Sequence, residues 1–360
     1  MNTFLHRAAV PALGAAILFG ASTPLAKQIM GDGAVSPFVL AGLLYLGSGL
    51  GLSLLRLVRD RGWKPAGLPR AEWPWMAGAI GFGGVLGPLL LMLGLAHTTA
   101  ASASLLLNFE AVLTALLAWW VFRENADRRI VLGMLLIVAG GAVLAWSDRS
   151  AAVLGWGPLA LLGACLAWAI DNNLTRKVSA SDAVWVAACK GLVAGVVNTG
   201  LGWALGAAWP SGAVVASALG IGFVGYGLSL VLFVLALRGL GAARTGAYFS
   251  VAPFVGAAIA VLVFGEPTTG AFWAAAALMA AGVWLHLTEH HAHAHTHGPL
   301  AHAHRHRHDA HHQHAHDFAW DGVEPHTHPH PHAPLQHSHA HFPDIHHRHG
   351  HAGAGGAVDI

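Results

Sequence analysis

Charge is scarce in this chain. Of its 360 residues only 10% are Asp, Glu, Lys or Arg, against roughly 25% in a soluble domain. From Trp73 to Ala96 there is no charged side chain at all, and about 20 apolar residues are enough to cross a bilayer core. Cysteine is nearly missing. Cys165 and Cys189 both fall in apolar runs, which argues against a disulfide framework. The net charge of +2 removes the case for nucleic-acid binding. No nucleophile–base pair or cofactor fingerprint appears, so no enzyme is expected and no cofactor is required. What the chain does have is apolar surface, 55% of residues, and 45 glycines. In membrane helices such small residues let backbones approach closely.

His6 and Arg7 ahead of an apolar run have the form of a signal peptide. The run at 8–29 is too long for a signal core, however, and nine more follow it. The further runs lie at 36–55, 74–96, 100–122, 130–147, 156–176, 183–206, 213–237, 242–264 and 271–288. With short connections, neighbouring spans form antiparallel hairpins. If the N-terminus is cytoplasmic, inside segments hold 13 Lys and Arg, including Arg56, Arg59, Arg128, Arg129, Arg176 and Lys177; outside segments hold only Lys27 and Arg149. The positive-inside rule favours that orientation, with both termini cytoplasmic and the protein in the cell (inner) membrane.

The chain also repeats itself. Phe122-Arg123-Glu124 ends the fourth run and Phe264-Gly265-Glu266 ends the ninth, 142 positions later. Each of these runs opens on small residues, Ala100-Ala101-Ser102-Ala103-Ser104 and Ala242-Ala243-Arg244-Thr245-Gly246. Near the front of each half, Phe19-Gly20-Ala21-Ser22-Thr23-Pro24 takes the place of Trp168-Ala169-Ile170-Asp171-Asn172-Asn173. Five spans per half is an odd number, so the halves cross in opposite senses, a common plan for secondary transporters. The expected fold is an all-α membrane protein with ten transmembrane helices as two inverted five-helix repeats, 1–149 and 150–288, and a disordered tail at 289–360.

This pattern of paired Phe-x-Glu ends, short loops and duplicated five-helix units resembles the EamA-type transporters of the drug/metabolite transporter superfamily, over residues 8–288. The resemblance implies a 5+5 fold, alternating access and movement of a small organic solute, without naming the solute.

Charges inside a membrane helix cost about 2.5–3.5 kcal/mol on insertion scales unless paired or hydrated. Glu110 falls mid-span, Asp171 about 9 Å and Lys190 about 12 Å from the cytoplasmic ends of spans six and seven at 1.5 Å per residue. Asp171 and Lys190 are therefore expected to form an ion pair, either as a structural tie or as a gate or substrate contact. Glu110 has no obvious basic partner in the apolar runs, and Asn108 two residues earlier points to a different face. A carboxyl that is neutral or charged by turns suits coupling of protons to solute; the alternative is a hydrogen-bonded structural glutamate. Asn172, Asn173, Tyr226 and Tyr248 are polar groups that line a pore or satisfy one another. Pro24, Pro88 and Pro253 are expected to kink spans one, three and nine. The glycine pairs Gly47/Gly51, Gly83/Gly87, Gly191/Gly195 and Gly202/Gly206 read as packing faces. Glu124 and Glu266 read as solvated helix ends.

Composition changes abruptly at Glu289. Between His290 and His351 lie 24 histidines. His290, His291, His293, His295, His297, His302, His304, His306, His308, His311, His312, His314 and His316 are the candidate metal ligands, since neutral imidazole suits Zn, Ni and Co. No apolar period supports a packed core there. Three functions follow: a secondary transporter of a small organic solute, acting as an exporter, with a metal-binding tail; a Ni, Co or Zn exporter loaded by the tail; or a membrane-anchored metal buffer. The tail could also respond to pH. No Cys or His cluster within the ten runs would bind metal at membrane depth, which weighs against a metal cargo. The expected partners are the solute, the bilayer and a second copy in a homodimer, with no nucleic acid.

Overall fold

The computed structural model describes residues 2–31, 33–62, 68–122, 128–147, 156–178, 181–288, 292–297, 300–306, 326–332 and 335–340. Every regular element among the described residues up to 288 is helical. They are α1 (Asn2–Met30), α2 (Pro37–Arg59), α3 (Trp73–Ala79), a π-helical segment (Ile80–Leu86), α4 (Gly87–Ala96), α5 (Ala100–Leu106), α6 (Phe109–Phe122), α7 (Arg128–Ser147), α8 (Trp156–Val178), α9 (Ala183–Ala204), α10 (Gly212–Ile221), a second π-helical segment (Gly222–Leu228), α11 (Ser229–Phe249), α12 (Ala252–Leu262) and α13 (Gly270–Leu287). A 3₁₀ turn at Arg70–Glu72 precedes α3. Among the described residues, seven helical stretches are long and apolar enough to cross a membrane. Two shorter apolar helices, Val131–Leu144 and Gly270–Leu285, add to them.

Residue choice sets the ends. Thr99 accepts from the Ser102 amide to cap α5, Ser211 caps α10 through Val214, and Thr269 caps α13 through Phe272. A side-chain oxygen at that place satisfies an amide with no partner inside the helix. At the far end of α9, Gly206 takes φ 77°. Its amide reaches Trp203 O while that of Ala207 reaches Gly202 O, the paired bonds of a Schellman stop. Nothing lies within 4 Å of where a Gly206 Cβ would be. Gly206 is thus a stop signal rather than half of a packing pair. Its mate Gly202 does pack, against Val39.

The helices pack largely across the two halves of the chain. α1 lies against α11 and α12, and α4 and α6 lie against α8. α2 packs on α9, α5 on α12, and α7 on α13. Exchanging the halves maps this set of contacts onto itself. The π segments obey the same rule: they begin at Ile80 and Gly222, again 142 positions apart. The first packs on α8 and α9, the second on α1 and α2.

Several elements differ from the sequence reading. The fourth run is not one helix but α5 and α6, broken at Leu107–Asn108. The boundary expected between 237 and 242 is absent, because helical bonding continues to Phe249 and the break falls at Ser250–Val251; Ala242 and Ala243 are good helix formers. Pro253 sits in the first turn of α12, where its missing N–H has no cost, while Pro88 follows the π segment inside the continuous span Arg70–Ala96 and Pro24 lies inside α1. In the tail the described segments are not disordered. They are strands β1 (Ala292–His297), β2 (Leu300–His306), β3 (His326–His332) and β4 (Leu335–Ala340), with β1 antiparallel to β4 and β2 to β3. The tail carries no apolar period. The period of two is carried by histidine alternating with mostly small residues or proline, and it fits a strand.

Candidate functional site

The polar groups at membrane depth gather around the first π segment. Lys190 on α9 is 1% exposed, and its Nζ lies 2.7 Å from both Asp171 carboxylate oxygens and 3.3 Å from Thr175 Oγ1. Thr175 Oγ1 in turn donates to Asp171 Oδ1 at 2.8 Å. Asp171 and Thr175 are four apart on α8, so they share a face. The structure brings together the pair that the sequence singled out, and adds the threonine.

A π segment has a wider turn than an α-helix and frees backbone carbonyls. Side-chain donors take them up here. Tyr45 Oη donates to Gly83 O at 2.8 Å and Trp168 Nε1 to the same oxygen at 3.2 Å. Asn198 Nδ2 lies 3.4 Å from Gly84 O and Val85 O. Gly83 must be a glycine, because a Cβ there would collide with the Asp171 carboxyl. Gly87, its supposed packing mate, faces the Trp168 indole.

The second π segment supplies Tyr226, whose ring centre lies 5.3 Å from that of Tyr45 and 5.6 Å from that of Phe19. Phe19 also meets Trp168 edge-on at 5.5 Å and Phe249 at 5.4 Å. Tyr45 therefore bridges the two π segments, ring to one and hydroxyl to the other. The Tyr226 hydroxyl is buried beside Ser22, and no hydrogen bond of good geometry reaches it among the described residues. Ser22 donates to Phe19 O instead.

Glu110 stands in the first turn of α6, just beyond the break in the fourth run. Its partner is Asn172, whose Nδ2 donates to Glu110 Oε1 at 2.8 Å. Asn172 is next in sequence to Asp171, so α8 presents a carboxylate–lysine pair and an amide–carboxyl pair from adjacent positions. The remaining sequence candidates lie elsewhere. Asn108 donates to Leu105 O and approaches Met279 Sδ. Asn173 donates to Ala169 O on its own helix. Tyr248 packs on Ala12 and Ala236. Tyr45 and Trp168 were not singled out as polar groups. With only three tyrosines in the chain, one inside an apolar run was the available signal.

At the end of the molecule where α2 stops and α9 starts, Arg59 Nη2 meets Asp182 Oδ2 at 2.5 Å and its Nε meets Asp60 Oδ1 at 2.7 Å. Asp182 also caps α9 through the Val184 and Trp185 amides. Burial alone would raise the Asp182 carboxyl, but Arg59 and these amides outweigh it and hold the group below the ordinary carboxylate range. At the opposite end, Glu266 is no solvated terminus. Its two carboxylate oxygens accept from the amides of Ala100 at 2.9 Å and Ala101 at 2.7 Å, at the start of α5, where a negative charge is favoured. Lys27 Nζ donates to Leu95 O nearby in the fold, at 2.6 Å. Glu124 lies outside the described residues.

A cavity of about 410 Å³ beside α2 and α9, lined by Val39, Leu46, Val196, Thr199, Trp203 and Trp209 among others, shares no residue with the polar cluster. Among the residues whose side chains are described, no three His, Cys, Asp or Glu converge on one point. Of the candidate tail ligands, His293, His295, His297, His302, His304 and His306 lie in β1 and β2. His290, His291, His308, His311, His312, His314 and His316 lie outside the described residues.

The EamA-like transporter family matches this chain twice, over residues 6–146 and 155–288. The chain is 27% identical over 269 residues to an uncharacterized transporter of Methanothermobacter thermautotrophicus, covering 70% of this chain and 78% of that protein. Over 111 residues it is 40% identical to the probable 4-amino-4-deoxy-L-arabinose-phosphoundecaprenol flippase subunit ArnE of Pseudomonas paraeruginosa, covering 31% of this chain and 91% of the subunit. A protein of known crystal structure superposes with a TM-score of 0.61 at 22% identity, over 78% of this chain and 95% of that one. That likeness shows a shared fold.

Proposed function

The chain belongs to the EamA-like transporter family, within the drug/metabolite transporter superfamily, and from that premise we propose that it is a secondary transporter, an exporter of a small organic solute. In this reading it spans the cell (inner) membrane ten times, with both termini cytoplasmic. α1, α2, α3–α4, α5–α6 and α7 are the first five spans; α8, α9, α10–α11, the end of α11 with α12, and α13 are the second five, crossing in the opposite sense. The observation that carries the proposal is the convergence of Asp171, Lys190, Glu110 and Asn172 beside one of two π segments, which lie at equivalent positions of the halves. Charges are kept at such depth only where they work or are paired.

The solute site lies between the π segments, bounded by Tyr45, Trp168, Phe19 and Tyr226. The aromatic faces hold the apolar part of the solute, and the buried Tyr226 hydroxyl offers it a hydrogen bond. Glu110 couples protons: it exchanges the Asn172 bond for a proton as the halves rock. Similarity to a flippase subunit supports movement of a polar group across the bilayer. In proteoliposomes, a pH gradient should drive solute movement through the wild type, and Glu110→Gln should abolish that pH dependence. Unchanged proton coupling in the variant would overturn the role given to Glu110.

A second reading, a Ni, Co or Zn exporter fed by the tail, is favoured by the histidine strands alone. Loss of metal resistance in strains lacking either the whole protein or only residues 290–360 would support it. Loss on tail deletion alone would point to a metal buffer, and indifference to metal leaves the organic solute.

A further inference from the structure

The tail strands place histidine opposite histidine. In β1 and β4, His293 faces His339 and His295 faces His337. In β2 and β3, His302 faces His330, His304 faces His328 and His306 faces His326. One register serves both ladders: moving from the 292–340 pair to the 306–326 pair, each step forward on one side is one step back on the other. Alternating with the facing histidines of the second ladder are Ala301 with Pro331, Ala303 with Pro329, and Arg305 with Thr327.

Proline explains why the register falls this way. Proline has no N–H to give a ladder, so it is tolerated where the N–H would point away from the partner strand. Pro329 and Pro331 then occupy the non-bonded rungs, and alternation makes the histidine rungs the hydrogen-bonded ones. A slip of one residue would put every histidine on the other face.

From this geometry we infer that the paired strands β2 and β3 form a transition-metal site built from successive His–His rungs, with His302, His304, His328 and His330 as one four-imidazole set. The inference rests on the reading of the tail as a metal ligand, and adds where and how the metal is held. Residues opposite each other in a ladder are about 5.5 Å apart and successive same-face residues about 6.8 Å. Two rungs therefore place four histidines at the corners of one small rectangle of the ladder. Zn²⁺ takes four ligands tetrahedrally, with Zn–N bonds of about 2.0–2.1 Å. His306 with His326 extends the row by a third rung. His297 and His332 stand opposite Leu335 and Leu300 and complete no rung.

The full-length protein in detergent is titrated with ZnCl₂ by calorimetry at neutral pH. Two variants each lose two histidines: His304→Ala with His328→Ala removes a rung, and His297→Ala with His332→Ala removes none. The first is expected to weaken the tightest Zn²⁺ binding by at least ~10-fold, a loss no smaller than that for outer-shell partners. The second is expected to leave it unchanged. A third variant exchanges neighbours within Ala301–His302, Ala303–His304 and Arg305–His306. It keeps composition and count but sets each histidine of β2 opposite Pro331, Pro329 or Thr327, and it should behave like the first. Equal affinity in all three variants overturns the rung assignment while leaving a metal-binding tail. No Zn²⁺ binding by the wild type overturns the tail reading as well.

Discussion

Lys190 is enclosed by three oxygens from one turn of α8. Taking two charges out of water is costly, and removing one partner leaves the other charged and buried, a loss of about 3–5 kcal/mol. Asp171→Asn and Lys190→Met should each lower the unfolding temperature of the purified protein. Asp171→Lys combined with Lys190→Asp should recover most of the loss; a double exchange no better than either single change would mean the pair does not act as one. Asp182 offers a test by pH. Its carboxyl is held low in the folded state, so its stabilising effect is complete above the ordinary carboxylate pKa of about 3.9. That effect is lost as pH falls through the lower folded value. Asp182→Asn should flatten the acid limb of stability against pH and leave the neutral region without this contribution. The ion pair was legible because the distance of each charge from its helix end can be counted along the sequence. The Asn172–Glu110 bond was not, since it depends on where α6 restarts after the break at Leu107–Asn108.

The π segments are the elements that sequence reading could not supply. Their residues, glycine-rich in both halves, suggest close packing but give no sign of a wider turn. One residue more per turn rotates everything beyond it, and here that aims the Gly83 carbonyl at Tyr45 and Trp168. Deleting Gly84 should return Ile80–Leu86 to α-helical winding and turn α4 against α8. Transport should fall on the order of 100-fold, as small misplacements at a site do, while membrane insertion is kept; full transport by the deletion would remove the segment from the mechanism. Glu266 gives a second element-scale test. Its carboxylate accepts from two amides at the start of α5. In Glu266→Gln one oxygen is replaced by a donor that opposes an amide N–H. A loss of about 0.5–2 kcal/mol is expected, the range for a helix cap, read as a lower unfolding temperature. The Phe-x-Glu pairing was visible as a repeat; its role was hidden because the partner amides lie in the other half of the chain.

At the scale of the whole molecule, the duplication was legible from the paired motifs, and the two family matches and the two π segments follow it. The halves are not side by side, however; they interdigitate. α1 is covered by α11 and α12, and Ser229 on α11 donates to Ala15 O on α1 at 2.9 Å. Gly20 lets α1 approach so closely that a Cβ there would strike the Ala252 carbonyl. Sequence order says nothing of this, since each span's nearest neighbours in the chain are not its main packing partners. The arrangement has a consequence for biosynthesis. α1 is made well before the helices that cover it, which are encoded more than 200 positions later. During synthesis it must wait in lipid with Ser22 and Thr23 facing no final neighbour. Assembly of the core is therefore a late event, after α12 has left the ribosome. Nascent chains arrested before residue 229 should crosslink α1 to lipid or to the insertion machinery, and chains arrested beyond residue 300, with α12 clear of the ribosome, should crosslink it to α11.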